Sequence, residues 1–220
     1  VLPGDGPAIW AGILLAFLFL LRGGEWLAHD GRGYDTAKVI LGVGVVPFKN
    51  GQRIQSFSLA DEIAVELRAS KMDQFNTGTW RNHFRTGEDI CLLDAMAALQ
   101  RAHPERFGSG SETLKPLFRR ARGGPILASQ VKTLLDQAAV AVGLPPDRMG
   151  THSLRIGGAS ALLHAGEHIE TIKRIGRWVS DAFQRYLWEA NEDTIDLSKK
   201  MARDNSTLAI TRQGPASRHR

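Results

Sequence analysis

A run of apolar and small residues near the amino terminus, residues 8–21 (AIWAGILLAFLFLL), places the strongest constraint on the fold of this chain. A helix with this sequence has no polar face, so it must be buried on nearly all sides. The run is shorter than the roughly 20 residues that cross a bilayer, and it lacks the basic start and the cleavage site of a signal peptide. We therefore predict a buried helix of a globular domain and not a membrane anchor.

The composition fits one globular domain with a basic surface. The 220 residues are 43% hydrophobic, and 28 Lys and Arg against 23 Asp and Glu give a formal charge of +5. Such a surface suits a polyanionic partner, although many proteins without a nucleic-acid role are equally basic. Cys91 is the only cysteine, which excludes an internal disulfide and a cysteine-based zinc site and favours a reducing compartment.

The hydrophobic period changes along the chain, and this change predicts an α+β fold that is mainly helical. Residues 37–68 alternate between apolar and polar positions, with turn signals at Pro47 and Asn50-Gly51, and predict an antiparallel sheet of about three strands. Helical spacing follows, with Ser129 as a predicted N-cap and Gly143 as a predicted stop. The helices are predicted at 88–102, 129–142, 153–165, 169–175 and 181–190.

A His-x-x-Arg pair at the start of a predicted helix is the first candidate for chemistry. His152 and Arg155 stand three residues apart and therefore share one face of the helix. The amino end of a helix also offers free N–H groups and a positive dipole end, which suit a phosphate. Taken alone, the pair has a structural explanation, with His152 beside the cap and Arg155 as a surface cation, because motifs this short recur freely.

The sequence around and after this pair resembles the signature of the tyrosine recombinase and phage integrase family. The resemblance rests on HSLRIGGASALLHAG at 152–166, IKRIGRW at 172–178 and FQRYL at 183–187. In that family a His-x-x-Arg helix, a Gly-x-His or Gly-x-Trp step and a tyrosine-bearing helix follow in this order. The form with Trp178, and the run ending in Tyr-Leu, look most similar to the recombinases of DIRS-type retroelements.

The resemblance implies two further site residues upstream. With these included, it extends over about residues 15–189 of the chain. An arginine that follows an apolar helix and precedes an acidic residue matches Arg22 and Glu25. A lysine in a turn of the small sheet matches Lys71. Taken singly, Arg22 would be a helix-end cation and Lys71 an ordinary turn lysine.

The residue types of this set suit metal-free opening of a phosphodiester. The resemblance makes Tyr186 the nucleophile, which would form a 3′-phosphotyrosyl bond and release a 5′ hydroxyl. A tyrosine hydroxyl has an ordinary pKa near 10, so it needs a proton acceptor and a positive site nearby. Arg22 and Arg155 can hold the phosphate oxygens through planar guanidinium forks and oppose the charge that builds in the transition state.

The other implied residues complete the chemistry. His152 would accept the tyrosine proton or share a phosphate oxygen, and Lys71 would be the general acid for the leaving oxygen. Trp178 would supply an indole N–H and packing, and Glu25 would steady the arginine and histidine. We predict DNA contacts from Arg22, Lys71, Arg155 and Arg177.

The resulting prediction is a site-specific DNA recombinase or integrase that needs no metal, cofactor or ATP. Its catalytic domain would occupy residues 1–196, followed by a basic, mobile tail over 197–220, with the DNA-clamping domain usual at the amino end of this family absent. The expected partners are double-stranded DNA and further copies of the chain, as a tetramer on paired DNA sites. The expected compartment is the nucleus if the source is eukaryotic and otherwise the cytoplasm.

Other functions remain open from the sequence. A type IB topoisomerase would use the same residues to relax supercoils. An inactive, domesticated DNA-binding module would keep the fold, although the intact residue set argues against decay. A membrane-associated helical protein rests only on residues 8–21. Tyr34, the only other tyrosine, is an alternative nucleophile.

Overall fold

The apolar run forms a buried helix, α1 (Gly6–Leu18), in the computed structural model, which describes residues 4–68, 78–146 and 149–181. One side of the helix is buried in the core, as the sequence predicts, but Trp10 is half exposed, so the helix is less enclosed than burial on nearly all sides would require. The helix ends three residues earlier than predicted, because Leu20 adopts a left-handed conformation with φ of +50°. Residues 19–21 stay buried but turn the chain away from the helix axis, which fixes where Arg22 begins its own segment.

The sheet has four antiparallel strands in the described part of the chain: β1 (Val45–Lys49), β2 (Gln52–Arg53), β3 (Glu62–Leu67) and β4 (Thr79–Phe84). Their spatial order is β2-β1-β3-β4. The β1–β2 hairpin turns at Asn50-Gly51, where both residues have positive φ, as a tight hairpin turn of this composition requires. The α+β class predicted from the sequence is confirmed.

Two features of the sheet differ from the prediction. The alternating residues 39–44 form no strand in it, because this segment pairs with residues 115–117 through isolated backbone hydrogen bonds and then makes a 3₁₀ turn at Gly42–Gly44. The sheet also gains β4, which the sequence did not predict. This edge strand carries Arg81 and His83 between exposed Trp80 and Phe84, so it lacks the buried apolar period by which strands are recognised.

Four further helices follow the order that the sequence predicts: α2 (Leu92–Ala102), α3 (Ala128–Ala141), α4 (Thr151–His164) and α5 (Ile169–Gly176). Gly143, with φ of +77°, confirms the predicted stop after α3. The predicted N-cap is wrong, because Leu127 holds that position and the Ser129 hydroxyl, inside the first turn, donates to Asp30 at 3.0 Å. The predicted helix at 181–190 and the tail at 197–220 lie outside the described residues, apart from Asp181.

The main core joins α1, α2 and the inner face of the sheet, and a smaller one ties α4 and α5 to the end of α1. Leu20, Ala159 and Ile172 form the centre of the smaller core. α4 crosses α1 closely at Gly158, where a Cβ atom would lie only 2.1 Å from the Phe17 carbonyl oxygen. No helix in the described ranges is long and apolar enough to cross a membrane.

We expect Gly158→Ala to destabilise the protein, because the added methyl group would collide with backbone and force α4 away from α1. Overpacking of this kind lowers the free energy of unfolding by about 1–3 kcal/mol. Urea unfolding measures the change. Gly157→Ala is the matched control, because its Cβ would meet only the Phe17 ring, at 3.6 Å. Equal effects of the two substitutions would contradict the close crossing.

Candidate active site

Three segments that lie far apart in the sequence meet beside the smaller core. The chain leaves α1 through Arg22 and a 3₁₀ turn at Gly23–Glu25. This turn abuts the amino end of α4, since a Cβ atom on Gly23 would lie 3.2 Å from the Thr151 hydroxyl oxygen. The third segment is the end of α5, where Arg177 adopts a left-handed conformation with φ of +58° and redirects the chain.

Glu25 is the acceptor that joins two of these segments. Its side chain is 3% exposed, and its carboxylate oxygens each accept a hydrogen bond of 2.9 Å from the two terminal nitrogens of Arg177. The same carboxylate accepts the Arg22 backbone N–H at 2.8 Å and lies 3.4 Å from Arg22 Nη1. Glu25 therefore holds one arginine in a bidentate pair and orients a second.

Arg177 is a buried connector in this arrangement. Its side chain is 7% exposed, Nη2 also donates to the Leu20 carbonyl at 3.2 Å, and its own carbonyl accepts from Arg22 Nη2 at 3.3 Å. Both terminal nitrogens thus face protein acceptors. Direct DNA contact by Arg177 stays a prediction.

Arg155 lies at the centre of the site and is only 2% exposed, which excludes the interpretation as a surface cation. Its Nη2 donates to the Gly176 carbonyl, and its guanidinium carbon lies 4.3 Å from the centre of the Trp178 ring, a cation–π distance. Nε and Nη1 have no acceptor among the residues that the structure describes. Burial, reinforced by the charges of Arg22 and Arg177, lowers the pKa of Arg155 to about 9.

Trp178 owes its position to a glycine. A Cβ atom on Gly176 would lie 1.7 Å from the indole ring, so only glycine leaves room for the ring at this point. The indole is packed between Gly176 and the Arg155 guanidinium. This packing gives a physical reason for the Gly-x-Trp step of the sequence.

His152 and Arg22 lie toward the open side of the site. His152 is exposed in the first turn of α4, and partial burial together with the Arg155 charge lowers the pKa of its imidazole below the ordinary value of 6.5. The imidazole is therefore neutral near pH 7 and able to accept a proton. The Arg22 side chain is 36% exposed and can reach a ligand arriving from solvent.

The charges of this cluster are not balanced. Three guanidinium groups face one carboxylate, Glu25, within the contacts just described. An unpaired buried cation is costly, and a guanidinium fork matches the oxygens of a phosphate or carboxylate. The arrangement therefore favours an anion beside Arg155.

Two predicted residues, Lys71 and Tyr186, lie outside the described residues, and their roles stay predictions. In the sequence, Lys71 belongs to the connection between β3 and β4, and Tyr186 follows the end of α5.

Tyr34 is poorly suited as a nucleophile, because its hydroxyl donates to the Phe118 carbonyl at 2.6 Å and accepts the Ile126 N–H at 3.1 Å. Burial also raises the pKa of the Tyr34 hydroxyl above its ordinary value, which disfavours the nucleophilic phenolate. The described ranges hold no group of three His, Cys, Asp or Glu suited to a metal ion.

Comparison with known proteins finds similarity only among solved structures. No family model and no curated protein sequence matches the chain. The Tn1549 transposon integrase in complex with circular intermediate DNA has a TM-score of 0.41 and 15% identity, over 86% of this chain and 56% of that chain. A variant of that integrase with another circular intermediate DNA has a TM-score of 0.40 and 13% identity, over 90% of this chain and 58% of that chain. A variant with transposon right end DNA has a TM-score of 0.45 and 14% identity, over 92% of this chain and 65% of that chain. The chain thus spans less than two thirds of the length of each of these structures.

We expect Glu25→Gln to lower the free energy of unfolding by about 3–5 kcal/mol, because the substitution leaves the buried Arg177 charge without its partner. Added sulfate should restore more stability to this variant than to the wild type, since the anion can replace the lost charge. Urea unfolding with and without sulfate measures both effects. Asp136→Asn is the control, because Asp136 forms a solvent-accessible ion pair with Lys132 on the surface of α3 and its loss should cost at most about 1 kcal/mol. Similar losses in the two variants would contradict a central role for Glu25.

Proposed function

We propose that this chain is the catalytic domain of a tyrosine recombinase, which cuts and rejoins double-stranded DNA through a covalent bond between Tyr186 and a backbone phosphate. One observation carries the proposal. The sequence motifs single out Arg22, His152, Arg155 and Trp178, and these residues come together from separate segments. They surround the Arg155 guanidinium, two of whose nitrogens have no acceptor among the described residues. Motifs that recurred by chance would have no physical reason to meet.

The chemistry follows from what each group can do. The Tyr186 oxygen attacks the phosphorus, the bond to the 5′ oxygen breaks, and the 3′ phosphate becomes linked to the tyrosine. The Tyr186 proton passes to the neutral imidazole of His152, and Lys71 protonates the departing 5′ oxygen. Arg22 and Arg155 stabilise the charge on the non-bridging oxygens, which is the largest contribution in reactions of this kind. Rejoining reverses these steps, so no ATP or metal is required.

Trp178 and Glu25 position the arginines in this proposal. Trp178 stacks on Arg155, so the guanidinium fork has one fixed orientation. Glu25 fixes the backbone and side chain of Arg22. The Gly-x-Trp step also supports the finer assignment to recombinases like those of DIRS-type retroelements. Assembly as a tetramer on paired DNA sites, and a nuclear location in a eukaryotic source, belong to the same proposal.

We expect the wild-type protein to form a covalent adduct with a nicked suicide DNA substrate, and Tyr186→Phe to form none. The physical reason is that phenylalanine keeps the ring but lacks the nucleophilic oxygen. Denaturing gel electrophoresis of the labelled DNA measures the adduct, and binding of the same duplex by Tyr186→Phe is the control for folding. An adduct that survives the substitution would disprove the nucleophile assignment.

We expect Arg155→Lys to slow adduct formation by about 10²-fold or more while DNA binding changes little, because lysine keeps the charge but loses the planar fork. Single-turnover kinetics at saturating DNA measure the rate. Arg119→Lys is the control, since Arg119 is a buried arginine whose bonds go to the Pro116 carbonyl and Glu112. Equal rates in the two variants would show that the guanidinium of Arg155 has no special part in the reaction.

A further inference from the structure

A polar cleft of about 440 Å³ lies between β4 and α5, next to the candidate active site. Its walls include Arg81 and His83 from β4, Arg174 and Ile175 from α5, and Phe19 from the end of α1. The proposed reaction gives none of these residues a role, although Arg174 and Ile175 lie within the IKRIGRW stretch. The half-exposed ring of Trp80 completes the edge of the cleft.

The cleft carries positive charge without a matching carboxylate. Its lining residues include two arginines and no Asp or Glu, and neither arginine forms an ion pair within the described ranges. Arg81 Nε is buried and has no acceptor among the described residues. A buried guanidinium nitrogen left unpaired is costly, which favours a ligand that accepts hydrogen bonds and carries negative charge.

The electrostatic environment of Arg81 supports this assignment. Burial lowers the pKa of Arg81, and the nearby positive charges of Arg174 and Arg177 lower it further. His83 faces the same cleft, and its Nε2 lies 3.0 Å from the Leu18 carbonyl. Burial also lowers the pKa of His83, so the imidazole adds little charge near pH 7. The excess charge of the cleft therefore comes from the arginines, which stay charged over the whole physiological range.

Arg177 connects this cleft to the active site. Its charge lowers the pKa of Arg81 in the cleft and of Arg155 in the site, so both guanidinium groups lie near it. A nucleic-acid strand presents phosphates at regular, short intervals along its length. Two adjacent cationic positions therefore fit consecutive stretches of one backbone.

We infer that the cleft between β4 and α5 binds a second backbone phosphate of the DNA, beside the phosphate that undergoes cleavage. This inference rests on the proposed function and adds to it two arginines that have no role in the proposed reaction. Arg81 and Arg174 hold this second phosphate and fix the register of the strand. The contact carries no base preference, since phosphates are alike in every sequence.

The test compares duplex DNA binding of the wild type and the double variant Arg81→Gln/Arg174→Gln over a series of salt concentrations, by fluorescence anisotropy. We expect the double variant to bind duplex DNA about 10-fold more weakly at low salt, and to do so equally for unrelated sequences. The plot of log K against log salt should become less steep, with the magnitude of its negative slope smaller by about 1. The double variant Arg81→Lys/Arg174→Lys, which keeps both charges, should retain most of the slope.

Matched controls make a negative result decisive. Arg53→Gln/Arg101→Gln removes the same two charges from β2 and from the last turn of α2, outside the cleft, and should leave the slope close to that of the wild type. Circular dichroism and thermal unfolding of each variant establish that the fold is retained. For a folded double variant, a slope equal to that of the wild type overturns the inference.

Two further measurements distinguish failure of this inference from failure of the proposed function. If inorganic phosphate binds the wild type and not the double variant, while the salt slope for DNA is the same in both, the cleft is a site for free phosphate and the DNA assignment is wrong. If the wild type itself neither binds DNA nor forms the Tyr186 adduct, the proposed function fails and this inference with it. If the wild type forms the Tyr186 adduct but the double variant keeps the salt slope of the wild type, the inference about the cleft is wrong and the proposed function stands.

Discussion

The bidentate ion pair between Glu25 and Arg177 is the interaction on which the geometry of the site depends. It joins the turn after α1 to the end of α5, two segments separated by 152 positions in the sequence. Both side chains are nearly excluded from solvent, so removing either one leaves a buried charge without compensation. Because Glu25 also holds Arg22, and the residue before Arg177 supplies the carbonyl that accepts from Arg155, one carboxylate determines the relative placement of three arginines.

Close helix packing makes this ion pair possible. The crossing of α1 and α4 at Gly158 brings the amino end of α4 against the turn that carries Arg22. The small core of Leu20, Ala159 and Ile172 then sets α5 beside both. The result is an excess of positive charge held inside protein packing, and such charge is tolerated where it serves a ligand of opposite sign. The cleft at Arg81 and Arg174 extends the same charge along the surface.

Sequence patterns predicted the helices and strands themselves better than they predicted which segments pack against one another. The buried helix, the β1–β2 hairpin and the four later helices follow from periodicity and from local turn chemistry. β4 escaped prediction because Arg81 and His83, which line the cleft beside α5, are polar, so the strand lacks an apolar face by which it could be recognised. Residues 39–44 alternate like a strand, yet they pair with a distant loop, and no local pattern encodes that choice.

For the site, the sequence by itself determined the residue types, their order and the faces that they share. The spacing of His152 and Arg155 is enough to place them on one side of a helix, since that geometry is local. Only the tertiary structure decided that Arg155 is buried beneath Trp178 and that Glu25 pairs with Arg177. The physical reason is that burial and ion pairing depend on which segments pack together, and contacts across more than a hundred residues are fixed by the whole core.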